Sequence, residues 1–208
     1  MTTIYRNELK TRILEKALTL FLRQGVRSVK MDDVAAALSI SKRTLYELFA
    51  NKEKLLFECV KYSSERREHH MEEFARQASS EMEIIMEAFR ISLEEFSQVN
   101  PLFYVDAHKY APVVAYLKKK HESRREQTLQ FFSQCISKGY FRADVNPDLL
   151  TRLGDGVVEY VMQSKMYEQF PMKEIFRSMV NLFVGGLCTD KGLQELKKLY
   201  SGSFFSVS

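Results

Sequence analysis

The stretch MDDVAAALSISKRTLYELF, residues 31–49, contains two short helical patterns separated by a three-residue turn at 39–41. Ala35 is small enough to mark the point where two steeply crossing helices touch. The apolar residues that can lock such a crossing are Val34, Leu38, Ile40, Leu45, Leu48 and Phe49. The pattern predicts a helix-turn-helix, in which the second helix lies in the major groove of DNA. Taken alone, it also fits an ordinary helical hairpin.

The outer side of the second helix is basic and rich in hydroxyl groups. It carries Lys42, Arg43, Thr44, Tyr46 and Glu47. Such a surface suits contacts with phosphates and with the edges of bases. Ser41 is placed to cap this helix by accepting a hydrogen bond from an early backbone N–H.

The flanking sequence favours the DNA-binding interpretation. Gly25 ends a helix, and the segment VRSVKMDDVAAALSISKRTLYELFANKEKLL that follows resembles the DNA-binding signature of the TetR family of transcriptional repressors. The matching positions are Thr44, Leu45, Tyr46, Phe49, Lys52 and Leu55. Ser39 stands where the family usually has glycine, so it is expected to adopt a conformation that costs glycine less. Lys30 stands where Thr or Ser commonly begins the preceding helix, which predicts a weak cap there.

The outward positions and the resemblance together imply a role for each residue at the DNA end. The predicted DNA-binding residues are Lys30, Ser41, Lys42, Arg43, Thr44, Tyr46 and Lys52. Lys42, Arg43 and Thr44 are the candidates for base edges, and Ser41 and Tyr46 for phosphates. Lys30 and Lys52 are expected to add positive charge. The predicted partner is a double-stranded DNA operator.

Positive charge is concentrated at the N-terminal end of the chain. The whole sequence has 31 Lys and Arg against 27 Asp and Glu, a net charge of +4. Residues 1–52 hold ten basic and five acidic residues, which leaves 21 basic and 22 acidic residues for 53–208. This split is expected for a DNA-binding domain attached to a nearly neutral body.

The cysteines and the N-terminal sequence indicate a cytoplasmic protein without metal, cofactor or membrane segment. Cys59, Cys135 and Cys188 are widely spaced and odd in number, which fits neither a disulfide framework nor a zinc site. We interpret them as core thiols, with a redox sensor as the alternative. The first ten residues lack an apolar targeting core, and no run of 18 apolar residues occurs.

Periodicity predicts an all-α protein. Proline and glycine are scarce, at four and eight residues, and apolar residues recur mostly at three- and four-residue intervals. We divide the chain into a three-helix helix-turn-helix DNA-binding domain, residues 1–50, and a helical ligand-binding and dimerisation domain, residues 51–208. Asn51 and Asn146 are expected to cap the helices that follow them.

Two predicted helices near the C-terminus, at about 147–168 and 171–187, are apolar nearly all round. They contain Gly154, Gly156, Gly185 and Gly186, small residues of the kind found where another backbone comes close. We predict that both helices pair with their copies in a symmetric homodimer, whereas the alternative is the core of a monomer. A dimer would place two reading helices about 34 Å apart, or a multiple of that distance, on a palindromic operator.

The middle of the chain is rich in aromatic residues, which most often fill a core. The resemblance implies instead a pocket for a small-molecule inducer that tilts the helix starting near Lys52 and so lowers DNA affinity. The predicted lining residues are Phe89, Phe96, Phe103, Tyr104, His108, Tyr110, Tyr116, Phe132 and Tyr160. Their character favours a hydrophobic or aromatic inducer.

Two other classes of function compete with a ligand-responsive repressor. The sequence has no paired His–Glu metal motif, no glycine-rich phosphate loop and no activated nucleophile, so an enzyme is not predicted. A DNA-binding regulator without a small-molecule pocket, controlled by a protein partner, is the alternative. The basic cluster of Lys118, Lys119 and Lys120 is either a second contact for an anionic partner or an exposed helix face.

Overall fold

The computed structural model describes residues 3–199, apart from the side chains of Thr3, Phe96, Ser97 and Asp155. The helices in this range are α1 (Thr3–Gln24), α2 (Met31–Ala37), α3 (Lys42–Leu48), α4 (Lys52–Gln77), α5 (Glu81–Gln98), α6 (Leu102–Ala107), α7 (Ala111–Ser137), α8 (Pro147–Gln163), α9 (Met172–Leu187) and α10 (Asp190–Leu199). A 3₁₀ turn covers Met166–Glu168. Within the described range the β-type pairing is an isolated bridge between Phe141 and Cys188, so the all-α prediction is confirmed.

The chain forms two compact units. The first comprises Met1–His69 and Gln98–His121, and the second comprises His70–Ser97 and Glu122–Ser208. Residues 98–121 therefore pack with the N-terminal helices, although they lie far beyond residue 50 in sequence. The division at residue 50 stays a functional prediction. Between residues 3 and 199, no helix combines the length and the apolar character that a membrane crossing needs.

The first unit is built on a core that the N-terminal helices share. Its fully buried residues include Ile13, Ala17, Phe21, Val34, Leu45, Phe49, Leu55 and Leu56. The three from α1 recur every fourth residue and so lie on one face of that helix. Because α3 packs against this core through Leu45, its opposite face points outward.

The turn after α1 is anchored to α6. Gly25 has a φ of +79°, and a Cβ at this position would lie 3.1 Å from Leu102 Cβ. The buried carboxylate of Asp106 accepts a hydrogen bond from the Arg27 N–H at 2.8 Å. The left-handed backbone and the close approach together favour glycine at position 25.

The core of the second unit lies where α10 meets the loop after α7. Its buried residues are Met82, Cys135, Phe141, Val184, Leu187, Cys188 and Leu196. Thr189 Oγ1 donates to Gly139 O at 2.6 Å, and a Cβ added at Gly192 would lie 2.2 Å from Tyr140 O. Only glycine fits this approach. The sequence pattern does not predict the helix at 190–199, because the short apolar stripe of Leu193 and Leu196 shows no extended period.

Helix starts agree with the predicted caps, but one helix end does not. Asn51 Oδ1 accepts from the Lys54 N–H at 2.8 Å, and Asn146 Oδ1 accepts from the Leu149 N–H at 3.2 Å. The helix expected to reach residue 168 ends at Gln163. Lys165 has a φ of +54°, a left-handed conformation that cannot continue a right-handed helix.

Candidate nucleic-acid interface

The predicted helix-turn-helix is formed by α2, the turn at 39–41 and α3. The turn closes directly onto α2, since the N–H groups of Ser39 and Ile40 donate to Ala36 O and Ala35 O, each at 3.1 Å. Ser39 has a φ of +54°, which confirms the expected left-handed conformation at this position.

Ser41 caps α3 as predicted. Its Oγ accepts a hydrogen bond from the Thr44 N–H at 3.0 Å and lies 2.8 Å from Thr44 Oγ1. The cap satisfies one of the N–H groups that an α-helix leaves unpaired at its start. The two hydroxyl groups therefore form a polar pair at the N-terminal end of the reading helix.

The face of α3 opposite Leu45 is exposed. Lys42, Arg43 and Glu47 lie on the surface, and Tyr46 is 48% exposed. A tyrosine so open to solvent gains little from burial, whereas its hydroxyl is accessible to an external acceptor.

Both cations at the start of α3 are paired with carboxylates. Lys42 Nζ lies 2.5 Å from Asp32 Oδ2, and Arg43 Nε donates to Glu47 Oε1 at 2.9 Å. The hydrogen bond that Lys42 donates to Asp32 and the negative charge of that carboxylate raise the pKa of Lys42. The pairing of Asp32 with Lys42 is not predicted by the sequence pattern, because it joins two helices whose relative orientation is set by the turn between them.

Lys30 is exposed at the start of α2, and the cap there is as weak as predicted. The Lys30 N–H donates to Asp33 Oδ2 at 2.7 Å, but an ammonium group has no lone pair with which to accept from the helix. The side chain therefore remains on the surface beside the helix-turn-helix.

Lys52 occupies a different environment from the one predicted. Its Nζ donates to Val26 O and Val29 O at 3.0 Å each, and to Arg27 O at 3.4 Å. An ammonium group has three N–H donors, so these carbonyl oxygens engage all of them. In this geometry Lys52 stabilises the turn between α1 and α2 and offers no donor to a phosphate.

Five of the predicted lining residues lie in the first unit. They are Phe103, Tyr104, His108, Tyr110 and Tyr116. Phe103 belongs to the core, whereas His108 is exposed with its Nδ1 2.8 Å from Tyr104 O. The Tyr116 ring packs edge-on against Phe57 with 5.7 Å between the centroids. The buried Tyr116 hydroxyl has no hydrogen-bond partner among the described residues.

Three further candidates lie in the second unit. Phe89 packs against Phe176, and Phe132 against Phe141, with ring centroids 6.2 and 5.5 Å apart. Tyr160 is 61% exposed. The side chain of Phe96, the ninth candidate, lies outside the described residues. The candidates thus divide between the two units, and most of the described rings pack against other side chains.

An apolar groove of about 340 Å³ lies along α8 and α9 in the second unit. Its lining residues are Val157, Tyr160, Val161, Met166, Phe170, Glu174, Ile175, Ser178, Met179, Leu182 and Phe183. Of the described ligand candidates, Tyr160 alone is among them. The sequence does not predict this groove as a ligand site, because nearly all of its residues belong to the two helices predicted to form a dimer interface.

The three cysteines are buried free thiols. Burial raises the pKa of Cys188 to about 11 and, with the charge of Glu81, that of Cys135 to about 12. The pKa of Cys59 is raised further for the same reason. Such thiols are poor nucleophiles at neutral pH. Between residues 3 and 199, no group of three or more His, Cys, Asp or Glu side chains is arranged to hold a metal ion.

Comparison with known proteins finds transcriptional regulators. Residues 13–59 match the family model of bacterial regulatory proteins, tetR family. The HTH-type transcriptional repressor KstR2 of Mycobacterium tuberculosis is 26% identical over 151 residues, covering 70% of this chain and 76% of KstR2. The HTH-type transcriptional regulator UidR of Escherichia coli is 25% identical over 182 residues, covering 86% of this chain and 93% of UidR.

Solved structures share the fold. A TetR-family transcriptional regulator from Agrobacterium tumefaciens gives a TM-score of 0.70 at 15% identity, covering 88% of this chain and 100% of its own. The ketosteroid transcriptional regulator KstR2 of M. tuberculosis gives a TM-score of 0.59 at 21% identity, covering 91% and 98%. At these identities the likeness concerns the fold alone.

Proposed function

We propose that this chain, a member of the TetR family of transcriptional regulators, is a dimeric repressor that a small molecule releases from DNA. Regulators of this family are DNA-binding proteins without enzymatic activity, and they act as dimers with small-molecule ligands. We further propose a cytoplasmic location and a palindromic operator.

The exposed face of α3 is the observation that carries the DNA-binding part. Leu45 anchors the helix while Lys42, Arg43 and Tyr46 face outward. We assign Lys42, Arg43 and Thr44 to base edges, and the hydroxyls of Ser41 and Tyr46 to phosphates. Lys30 adds charge beside them.

The DNA-binding assignment can be tested on duplexes selected from a randomised library. Tyr46→Phe should weaken binding to selected and shuffled duplexes alike, by about fivefold per lost hydrogen bond. Tyr5→Phe is the matched control, because both tyrosines are 48% exposed in the first unit. Lys42→Gln or Arg43→Gln should instead change the selected sequence. Unchanged affinity and unchanged sequence preference in all of these variants would refute the assignment.

We assign the dimer interface to α8 and α9. In one protomer Leu149, Leu153, Tyr160 and Leu182 are between 51% and 72% exposed. A Cβ added at Gly154, Gly156, Gly185 or Gly186 would meet nothing within 4 Å. Small residues beside exposed apolar side chains suit the approach of a second copy.

Sedimentation of a charged variant tests the interface. Leu182→Glu should give a monomer at micromolar concentration and reduce operator affinity, because a carboxylate would be buried in each half of the symmetric contact. Ile4→Glu in α1 is the control, since Ile4 and Leu182 are both 72% exposed. A dimer that survives Leu182→Glu would exclude this interface.

We propose a hydrophobic or aromatic inducer for the body of the protein. The buried Tyr116 hydroxyl without a described partner supports this, because buried polar groups are nearly always hydrogen-bonded and a ligand oxygen would satisfy it. The similarity to KstR2, a ketosteroid transcriptional regulator, favours an apolar molecule. Since α4 runs unbroken from Lys52 to Gln77, its tilt would carry the ligand response to the helix-turn-helix.

The alternative is a regulator without a pocket, controlled by a protein partner. The packing of Phe89 against Phe176 and of Phe132 against Phe141 favours it, because these rings are already engaged. A thermal-shift screen of apolar compounds separates the two. A ligand present at a hundred times its Kd should stabilise the folded state by about 2.7 kcal/mol and raise the melting temperature. A pocketless protein would give no such response, and its DNA binding would change only with added protein.

A further inference from the structure

Segment 30–48, which contains Lys30 and the helix-turn-helix and is here called the reading segment, carries no net charge although it lies at the basic end of the chain. It holds three basic and three acidic residues. The rest of residues 1–52 holds seven basic and two acidic residues. The positive charge that attracts DNA therefore lies outside the reading segment, and the reading segment itself is neutral.

The two cations of α3 meet carboxylates instead of standing alone. Lys42 pairs with Asp32 across the turn, and Arg43 pairs with Glu47 one helical turn further along α3. The side chains of both pairs are between 49% and 89% exposed. Exposed ion pairs contribute little to the stability of a fold, so stability does not account for two of them on this surface.

We propose that Asp32 and Glu47 are specificity-determining residues, which hold Lys42 and Arg43 for base edges and keep them from binding phosphates of any sequence. This inference rests on the proposed function, since it requires that α3 reads DNA. A phosphate is negatively charged and is repelled by the neighbouring carboxylate. The O6 and N7 acceptors of guanine are neutral, so a paired cation can reach them with less repulsion.

The expected effect follows from counterion release. A contact between a cation and a phosphate releases about 0.9 counterion from duplex DNA, which at 0.15 M salt corresponds to about fivefold in affinity. A dimer has two reading segments, so removing one carboxylate from each should strengthen binding to arbitrary DNA by about thirtyfold. The preferred duplex should gain much less, because there Lys42 is already engaged.

The experiment compares wild type with Asp32→Asn on two probes. One is a duplex selected by the wild-type protein from a randomised library, and the other is a shuffled duplex of the same composition. Glu65→Gln is the matched control, because it removes a carboxylate from the exposed pair with Lys61 in the same unit, on α4. Affinities are measured by fluorescence anisotropy over a series of salt concentrations, and melting temperatures verify that each variant is folded.

Asp32→Asn should tighten binding to the shuffled duplex by about ten- to thirtyfold, and the salt slope should steepen by about one per reading segment. Glu65→Gln should change neither. In a Lys42→Gln background Asp32→Asn should have no such effect, since the cation it releases is gone. Glu47→Gln should act in the same direction through Arg43.

Equal changes on both probes would overturn the inference. So would a tenfold loss on the selected duplex alone, because Asp32 would then contact a base itself. A wild-type protein that prefers no duplex would instead refute the proposed function, and the inference with it. If the wild-type protein prefers the selected duplex to the shuffled one, and Asp32→Asn has the same preference, then the inference fails while the proposed function stands.

Discussion

Replacing Lys52 by methionine tests whether this residue belongs to the fold or to the DNA interface. The sequence pattern predicts a contribution to DNA binding, whereas the structure directs its ammonium at the carbonyl oxygens of Val26, Arg27 and Val29. Methionine keeps much of the length and apolar body of the side chain but removes all three donors. The three carbonyl groups of the turn between α1 and α2 would then lose a charged partner.

The cost can be worked out from these contacts. A hydrogen bond to a charged group contributes about 1.5–3 kcal/mol where it is shielded from water. The Lys52 side chain is only half-buried and one of its contacts is long, at 3.4 Å, so we expect about 2 kcal/mol in total. For a chain of this size that corresponds to a drop of about 4–8 °C in Tm.

The assay combines thermal unfolding, followed by circular dichroism, with the salt dependence of DNA affinity. Lys61→Met is the control, because Lys61 lies on the same helix and makes an exposed pair with Glu65. Lys52→Met should lower Tm and leave the salt slope unchanged, while Lys61→Met should change Tm little. If Tm is unchanged and the salt slope of DNA affinity is reduced by about one per DNA-binding domain, then Lys52 binds a phosphate and the structural assignment is refuted.

Further outcomes are expected from the α3 cap, from two glycines in the second unit and from the buried carboxylate of Glu87. Ser41→Ala should lower the free energy of unfolding by about 1 kcal/mol through loss of the α3 cap, measured by urea unfolding. Gly192→Ala should cost at least about 2 kcal/mol, because its Cβ would lie 2.2 Å from Tyr140 O. In a monomeric Leu182→Glu background, Gly185→Ala should leave stability unchanged or raise it by up to about 1 kcal/mol, since its Cβ meets nothing within 4 Å. Hydrogen bonds from Arg90 and His70 lower the pKa of Glu87 to about 2, so its stabilising effect is complete above about pH 5 and is lost as the pH falls toward 2. Urea unfolding should therefore show Glu87→Gln to be less stable than wild type by about 1–2 kcal/mol at pH 7, with the difference closing by about pH 2; a constant difference would contradict this.

The helix-turn-helix could be predicted closely because its determinants are local. The Ser41 cap and the left-handed Ser39 each depend on residues three or four positions apart. The Asn51 and Asn146 caps are of the same kind. Hydrogen bonds over such short separations are dictated by residue type and spacing, which the sequence displays directly.

Side chains with distant partners were predicted less well. Lys52 donates hydrogen bonds to carbonyl groups 23 to 26 residues earlier in the chain, and Lys42 donates to Asp32 ten residues away. The ligand candidates share only an aromatic character, which is equally suited to a core and to a pocket. Their division between two packing units depends on the return of residues 98–121 to the N-terminal helices, which no local signal announces.

The helix-turn-helix, the cap that begins α3 and the basic and hydroxyl-rich face of that helix were determined by sequence alone. The tertiary structure decided that Lys42 pairs with Asp32 and that Lys52 binds backbone carbonyl groups. It also decided which aromatic rings pack against each other, and that only glycine fits at position 192 beside Tyr140 O. The reason is that helix periodicity and capping depend on neighbours within one turn, whereas the partner of a long side chain depends on how separate helices are packed.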